Sequence, residues 1–266
     1  MQTRNSRFAL SRAMICGLLL ILTAAAVSAQ GSDAEEAAER NVRYEAADGT
    51  PLEGYLATPS GRGEAPGVLL IHEWWGLNND MARLADALAE EGFVVLAADA
   101  FRGSVATRPA GAMRQVRTTP SDQIASDLDA ALEYLKNHRR VDADRVASLG
   151  FCFGGTQSMF MGTRRDDLAA VVVFYGGGPI TEASRLGVMA EAGPVLGIYG
   201  EEDNSIPVSE VREFEAALEA RDVEHTITIY EGVGHAFVKS DTYDQGGAPE
   251  EAWNQMVDFL SDQLGE

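Results

Sequence analysis

The sequence predicts an α/β fold: a largely parallel, doubly wound sheet with an antiparallel hairpin at its N-terminal edge. Three observations predict it. Short continuous apolar runs such as GVLLIH (67–72), FVVLAAD (93–99) and PVLGIYG (194–200) recur between amphipathic stretches, as strands buried on both faces and joined by helices must. Two alternating segments, NVRYEA and LEGYLATP, flank Asp48-Gly49, a hairpin turn signal. RVASLGFCFGGT (145–156) runs an apolar strand into a glycine-framed cysteine and then into a helix.

Residues 1–29 stand apart from this pattern. Arg4, Arg7 and Arg12 form a basic start, Ala13 to Val27 an apolar stretch, and Val27-Ser28-Ala29 a small-x-small cleavage site, so a secretory signal cut before Gln30 is expected. The location expected is therefore periplasmic or secreted, with no membrane span left after cleavage. Residues 30–40, QGSDAEEAAER, are acidic and alanine-rich and read as a mobile lead-in. A single domain fills 41–266, within reach of one core at this length and an apolar content of 45%.

Within the domain each element has a local reason. MARLADALAEEG is an amphipathic helix stopped by Gly92. Residues 101–120 carry Gly103, Pro109, Gly111 and Pro120 around a short helix near Ala110 to Arg117, and read as an excursion over the end of the sheet. SDQIASDLDAALEYLKNH places Ile124, Leu128, Leu132 and Leu135 on one helical face, with Ser121 as N-cap and His138 at the C-terminal dipole. Past the cysteine, LAAVVVFYGGG and PVLGIYG are buried strands, VSEVREFEAALEAR is a helix, and HTITIYEG is an alternating strand. A last helix over Pro249 to Leu264 packs through Trp253, Met256, Val257 and Leu260.

Charge excludes some partners. The chain has 41 acidic and 21 basic residues. Removing the three signal arginines leaves 18 basic residues against 41, a formal charge of −23 that disfavours nucleic acid and anionic membrane surfaces. The only lysines are Lys136 and Lys239. Cys16 would leave with the signal, so Cys152 is the single thiol of the mature chain and no internal disulfide can form.

Glycine-x-Cys-x-Gly-Gly is the pattern of a nucleophile elbow with a thiol in place of the usual hydroxyl, the corner of an α/β-hydrolase fold. Gly150 and Gly154 leave room for the sharp turn, and the following helix points N–H groups at the sulfur. The carboxyl ends of neighbouring strands supply partners: Glu73, Asp203 and His235, in the order nucleophile, acid, histidine that this fold uses. Read singly, Cys152 is also compatible with a small buried cysteine, Asp203 with an ordinary acid in an acidic loop, His235 with a turn histidine, and Glu73 with a buried acid paired to an arginine. Read together they form a Cys-His-Asp triad, with His235 as base for the thiol and Asp203 orienting the ring. The backbone N–H groups of Phe153 and Trp74 are the expected oxyanion donors.

The segments HEWWGLN, GFCFGG, YGEEDNSIP and GVGHAF resemble the dienelactone hydrolase family, with matching order over roughly 41 to 264. The resemblance implies a carboxymethylenebutenolidase-like hydrolase of lactones or small esters, working through a thioacyl-enzyme intermediate without metal or organic cofactor. It implies that Glu73 lies near the resting thiol and governs its ionisation. It also implies two cations for a substrate carboxylate: Arg102 fits the first, while Lys239 stands where the family has a second arginine and lacks the bidentate fork. Tyr175 resembles a tyrosine that borders the pocket, and Trp75 either lines that pocket or packs in the core. A small-molecule substrate and a monomer are expected. Two other readings use the same residues: a general exported carboxylesterase, and a ligand-binding relative without turnover. A redox sensor at Cys152 lacks a resolving thiol.

Overall fold

The computed structural model describes residues 36–178 and 183–265, all within one unit, Ser32–Glu266; the signal segment lies outside the described residues. An eight-stranded sheet organises the unit, in the order β1-β2-β4-β3-β5-β6-β7-β8. The hairpin β1 (Val42–Glu45) and β2 (Pro51–Ala57) forms around the Asp48-Gly49 turn, and β2 also runs antiparallel to β4 (Val94–Ala98). The other pairings, through β3 (Ala65–Ile71), β5 (Val141–Phe151), β6 (Ala170–Phe174), β7 (Val195–Gly200) and β8 (His225–Tyr230), are parallel.

The apolar runs occupy the centre of this sheet. Every residue of β4, β6 and β7 is buried, as expected of strands covered on both faces. The covering helices are α1 (Asn79–Glu90), α2 (Pro109–Thr118), α3 (Ser121–Lys136), α4 (Phe153–Gly162), α5 (Ala183–Met189), α6 (Val208–Glu219) and α7 (Gly247–Leu264). Ile124, Leu128, Leu132 and Leu135 of α3 face the core, as do Trp253, Met256 and Leu260 of α7. No helix among the described residues is long and apolar enough to cross a membrane.

Strand order positions the site. After β3 the chain adds β4 on one side and β5 on the other, so the crevice at the carboxyl ends of β3 and β5 is a switch point where side chains can enter. The register pairs Ile71 with Gly150. Glu73 and Cys152, each two residues further, therefore leave the sheet as neighbours.

Four expectations need correction. Ser121 is the first residue of α3 rather than its cap; Pro120 occupies that position, with no side-chain hydrogen bond. His138 lies beyond the C-cap Asn137, and burial followed by the charges of Arg139 and Arg140 pushes its pKa down, opposite to the effect of a helix C-terminus. Helix α5 was not expected from its glycine-interrupted sequence. The lead-in is not loose from Glu36 onward: Ala37 bridges to Asn78, Ala38 is buried, and Arg40 forms an ion pair with buried Asp99 at 2.6 Å. Charge and alanine content suggested mobility, but the partners of Arg40 and Ala38 lie far along the chain.

Candidate active site

Cys152 sits at the corner between β5 and α4 with φ 55° and ψ −114°, a strained backbone for a residue with a side chain. Two constraints over-determine it. Its N–H donates to the Phe174 carbonyl on β6 at 3.0 Å, and its own carbonyl accepts from Thr156 in the first turn of α4 at 3.1 Å. The glycines on either side let α4 press against the sheet: a Cβ on Gly154 would collide with the carbonyl oxygens of Ile71 and His72, and one on Gly150 with the backbone of Gly154.

Cys152 is half-buried, and the backbone N–H groups of Phe153 and Trp74 lie near enough to favour its thiolate. Burial and then the charge of Glu73 push the thiol up to about 12, while those two N–H groups act in the opposite direction. The resting thiol is therefore protonated at neutral pH. Glu73 is itself buried.

His235 follows β8, in the loop that also holds Ala236 at φ 56°. Its Nδ1 lies 2.6 Å from Asp203 Oδ2, at the end of β7. The other carboxylate oxygen of Asp203 accepts the N–H groups of Ser205 and Ile206 at 2.7 and 3.1 Å, which fixes the carboxylate plane. With Nδ1 engaged by Asp203, Nε2 is left to face the cavity. Tyr175 packs its ring 5.1 Å from that of His235 and donates its hydroxyl to the Val238 carbonyl at 3.0 Å, so it buttresses the histidine loop. Burial pushes its phenol pKa well up.

These groups share one cavity of about 690 Å³, lined by Glu73, Cys152, His235, Tyr175 and Lys239 among others. Its apolar wall comes from Trp74, Trp75, Met113, Val116, Ile124, Phe153 and Ile206. Trp75 lines the cavity and is also buried. Met113 and Val116 belong to α2, which makes the excursion of 101–120 one wall of the site.

Arg102 departs from expectation. Its guanidinium makes two hydrogen bonds to Asp127 on α3, at 2.7 and 2.8 Å, and it does not line the Cys152 cavity. Among the described residues, Lys239 is the single lysine or arginine on the cavity wall.

Sequence reading missed the residues that hold the loop after β3. Gln115 of α2 is buried; its amide donates to the Trp74 carbonyl at 2.5 Å and its oxygen accepts from Ser104. His72 is buried beneath the same loop. A glutamine on an otherwise apolar helical face was the one available signal, since a buried amide needs partners; nothing in the sequence identified those partners.

Comparison with known proteins agrees with this architecture. The model of the dienelactone hydrolase family matches residues 52–264. The chain is 34% identical over 227 residues to protein usf of Aquifex pyrophilus, covering 82% of this chain and 96% of that protein. It is 31% identical, with the same coverage, to a putative carboxymethylenebutenolidase of Aquifex aeolicus. A putative dienelactone hydrolase from Klebsiella pneumoniae superposes with a TM-score of 0.71 at 25% identity, covering 83% of this chain and 99% of that one. The elbow at β5, the parallel sheet and these likenesses together establish that the chain belongs to the dienelactone hydrolase family and is an ester or lactone hydrolase of that kind.

Proposed function

We propose that the protein hydrolyses a lactone or small carboxylic ester with Cys152 as nucleophile, His235 as general base and Asp203 as the group that orients His235. One observation carries the reading: a strained cysteine, beside two backbone N–H groups that favour its thiolate, shares a cavity with an Asp-bound histidine. Substrate displaces the resting arrangement, and the thiol proton passes to His235 Nε2 as the S–C bond forms. The carbonyl electron pair moves onto oxygen, where the N–H groups of Phe153 and Trp74 receive it; one such donor is worth about 100-fold to 1000-fold in rate. Collapse of the tetrahedral species breaks the C–O bond, and His235 returns the proton to the leaving oxygen. A water deprotonated by His235 then attacks the thioester, releasing the carboxylic acid and restoring the thiol. Glu73 keeps the empty site in its thiol form and so limits adventitious alkylation or oxidation.

A substrate carboxylate would meet Lys239 alone, because Arg102 is committed to Asp127. That commitment and the largely apolar wall favour a second substrate reading, neutral esters. The deciding experiment is steady-state hydrolysis by wild type and Cys152→Ala of a dienelactone, a neutral lactone and short aryl esters. Cys152-dependent turnover dominated by the carboxylated lactone supports dienelactone hydrolysis. Turnover of neutral substrates alone moves the substrate while keeping the mechanism, and no Cys152-dependent turnover of any of them sinks the nucleophile assignment. Export is proposed on residues 1–29 alone; sequencing of the mature chain should start at Gln30.

A further inference from the structure

His72 is fully buried at the end of β3, one residue before Glu73, and the reaction outlined above does not use it. Two hydrogen bonds fix its tautomer. The Ala100 N–H, just past β4, donates to Nε2 at 3.1 Å, so the ring proton resides on Nδ1 and is donated to the Glu73 carbonyl at 2.6 Å. That carbonyl and the Trp74 N–H are opposite edges of one planar peptide unit. Trp74 lines the same cavity as Cys152, and its N–H is one of the two that favour the Cys152 thiolate. Holding the carbonyl edge therefore sets the direction of the N–H edge, and a hydrogen bond at one edge of a peptide strengthens the bond at the other. The His72 ring also stacks on Phe153, with centroids 6.0 Å apart, and Phe153 supplies the second N–H.

We propose that His72 is a positioning residue for hydrolysis: through the Glu73–Trp74 peptide it aims and polarises the N–H that receives the oxyanion. This rests on the reading of Cys152 as nucleophile. The Glu73 carbonyl also accepts the Gly76 N–H at 3.2 Å, which closes the local turn. Gln115 and the Ala106 N–H hold the next two carbonyls of the loop, those of Trp74 and Trp75, while the His72 bond ties the Glu73–Trp74 peptide itself to the chain leaving β4.

The test uses the full mature chain with His72→Phe, which keeps an aromatic ring but neither hydrogen bond, and His72→Gln, which can both donate and accept. The readouts are kcat, KM, the rate of Cys152 alkylation by iodoacetamide, and affinity for an alkylthio trifluoromethyl ketone. Addition of the thiol to that ketone forms an S–C bond, moves the carbonyl pair onto oxygen and the thiol proton to His235, and so places an oxyanion against the two N–H groups. In His72→Phe, kcat should fall by about 10-fold to 100-fold and ketone affinity by a similar factor, with KM changed less than about twofold and alkylation slowed much less than kcat, because the Trp74 N–H is one of two that favour the resting thiolate. His72→Gln should recover part of the loss. Unchanged kcat in both variants overturns the proposal, as does a loss of kcat that tracks alkylation rate and Tm with no recovery in His72→Gln.

A measurement on wild type guards against variants that do not fold. The His72 Nδ1–H proton resonance should move downfield when the ketone adduct forms, and an unmoved resonance overturns the proposal. A wild type with no Cys152-dependent turnover and no ketone adduct would instead remove the nucleophile reading itself, and this inference with it.

Discussion

Arg102 and Asp127 lock side by side, with Nε and Nη2 of the arginine donating to the two carboxylate oxygens at 2.7 and 2.8 Å. A buried carboxylate thus takes the fork that the family resemblance assigned to substrate. Arg102→Ala should lower stability by about 2 kcal/mol, less than a fully buried pair because 31% of the arginine side chain is solvated. Its KM for a carboxylated lactone should stay at the wild-type value. A rise in KM with unchanged Tm would return Arg102 to the substrate.

Lys239 carries the opposite expectation. Loss of a charge-assisted hydrogen bond costs about 1.5–3 kcal/mol, so Lys239→Gln should raise KM for the carboxylated lactone by about tenfold or more. The KM of a neutral aryl ester should not move. Equal effects on both substrates would show that Lys239 shapes the cavity rather than recognising charge.

The Cys152 thiol is raised from 9.0 to about 12 by burial first and Glu73 second. Iodoacetamide alkylation of the empty enzyme should therefore be slow at pH 8 and climb only in strongly alkaline solution. Glu73→Gln removes a negative charge that opposes the thiolate, so it should lower the thiol pKa and speed alkylation at any given pH. Linkage follows the same sign. Between about pH 9 and 12 the unfolded thiol has lost its proton and the folded one has not, so this group's contribution to stability falls as pH rises. An alkylation profile that Glu73→Gln leaves in place would remove Glu73 from control of the thiol.

Arg40 ties the N-terminal segment to the loop after β4. It donates to Asp99 Oδ2 at 3.0 and 2.6 Å, and Asp99 also accepts the N–H groups of Phe101 and Gly103. Both side chains are nearly closed to solvent, at 12% and 2% exposure, so Arg40→Ala leaves a buried carboxylate without its cation and should cost about 3 kcal/mol. Chemical denaturation gives that value directly. A cost below about 1 kcal/mol would mean that residues 36–40 contribute little to holding the fold.

Much of the fold was legible because its causes are local. The runs at 67–72, 93–99 and 194–200 became β3, β4 and β7 since an uninterrupted apolar stretch of that length is satisfied only inside a sheet. Helix ends were less legible. Ser121 has the chemistry of a cap, yet Pro120, with extended backbone, takes the cap position and Ser121 becomes the first helical residue. The candidate site divides in the same way. Cys152, Asp203 and His235 could be named from strand ends and chain order, whereas His72 is fixed by the Ala100 N–H and Gln115 bonds the Trp74 carbonyl, backbone groups distant in the chain that no local pattern encodes.

The sequence by itself determined where the chain turns sharply: glycines two residues either side of Cys152 leave room for α4 to meet β3 and force the cysteine into the corner. It also determined which chemical groups follow which strands. Only the tertiary structure decided where the long side chains point. Arg102 and Arg40 each reach a carboxylate distant in the chain, and a buried carboxylate must take whatever cation the packing brings within hydrogen-bond range. Sequence order fixes the strand ends that surround the cavity; the pairing of buried charges fixes which cations remain on its wall.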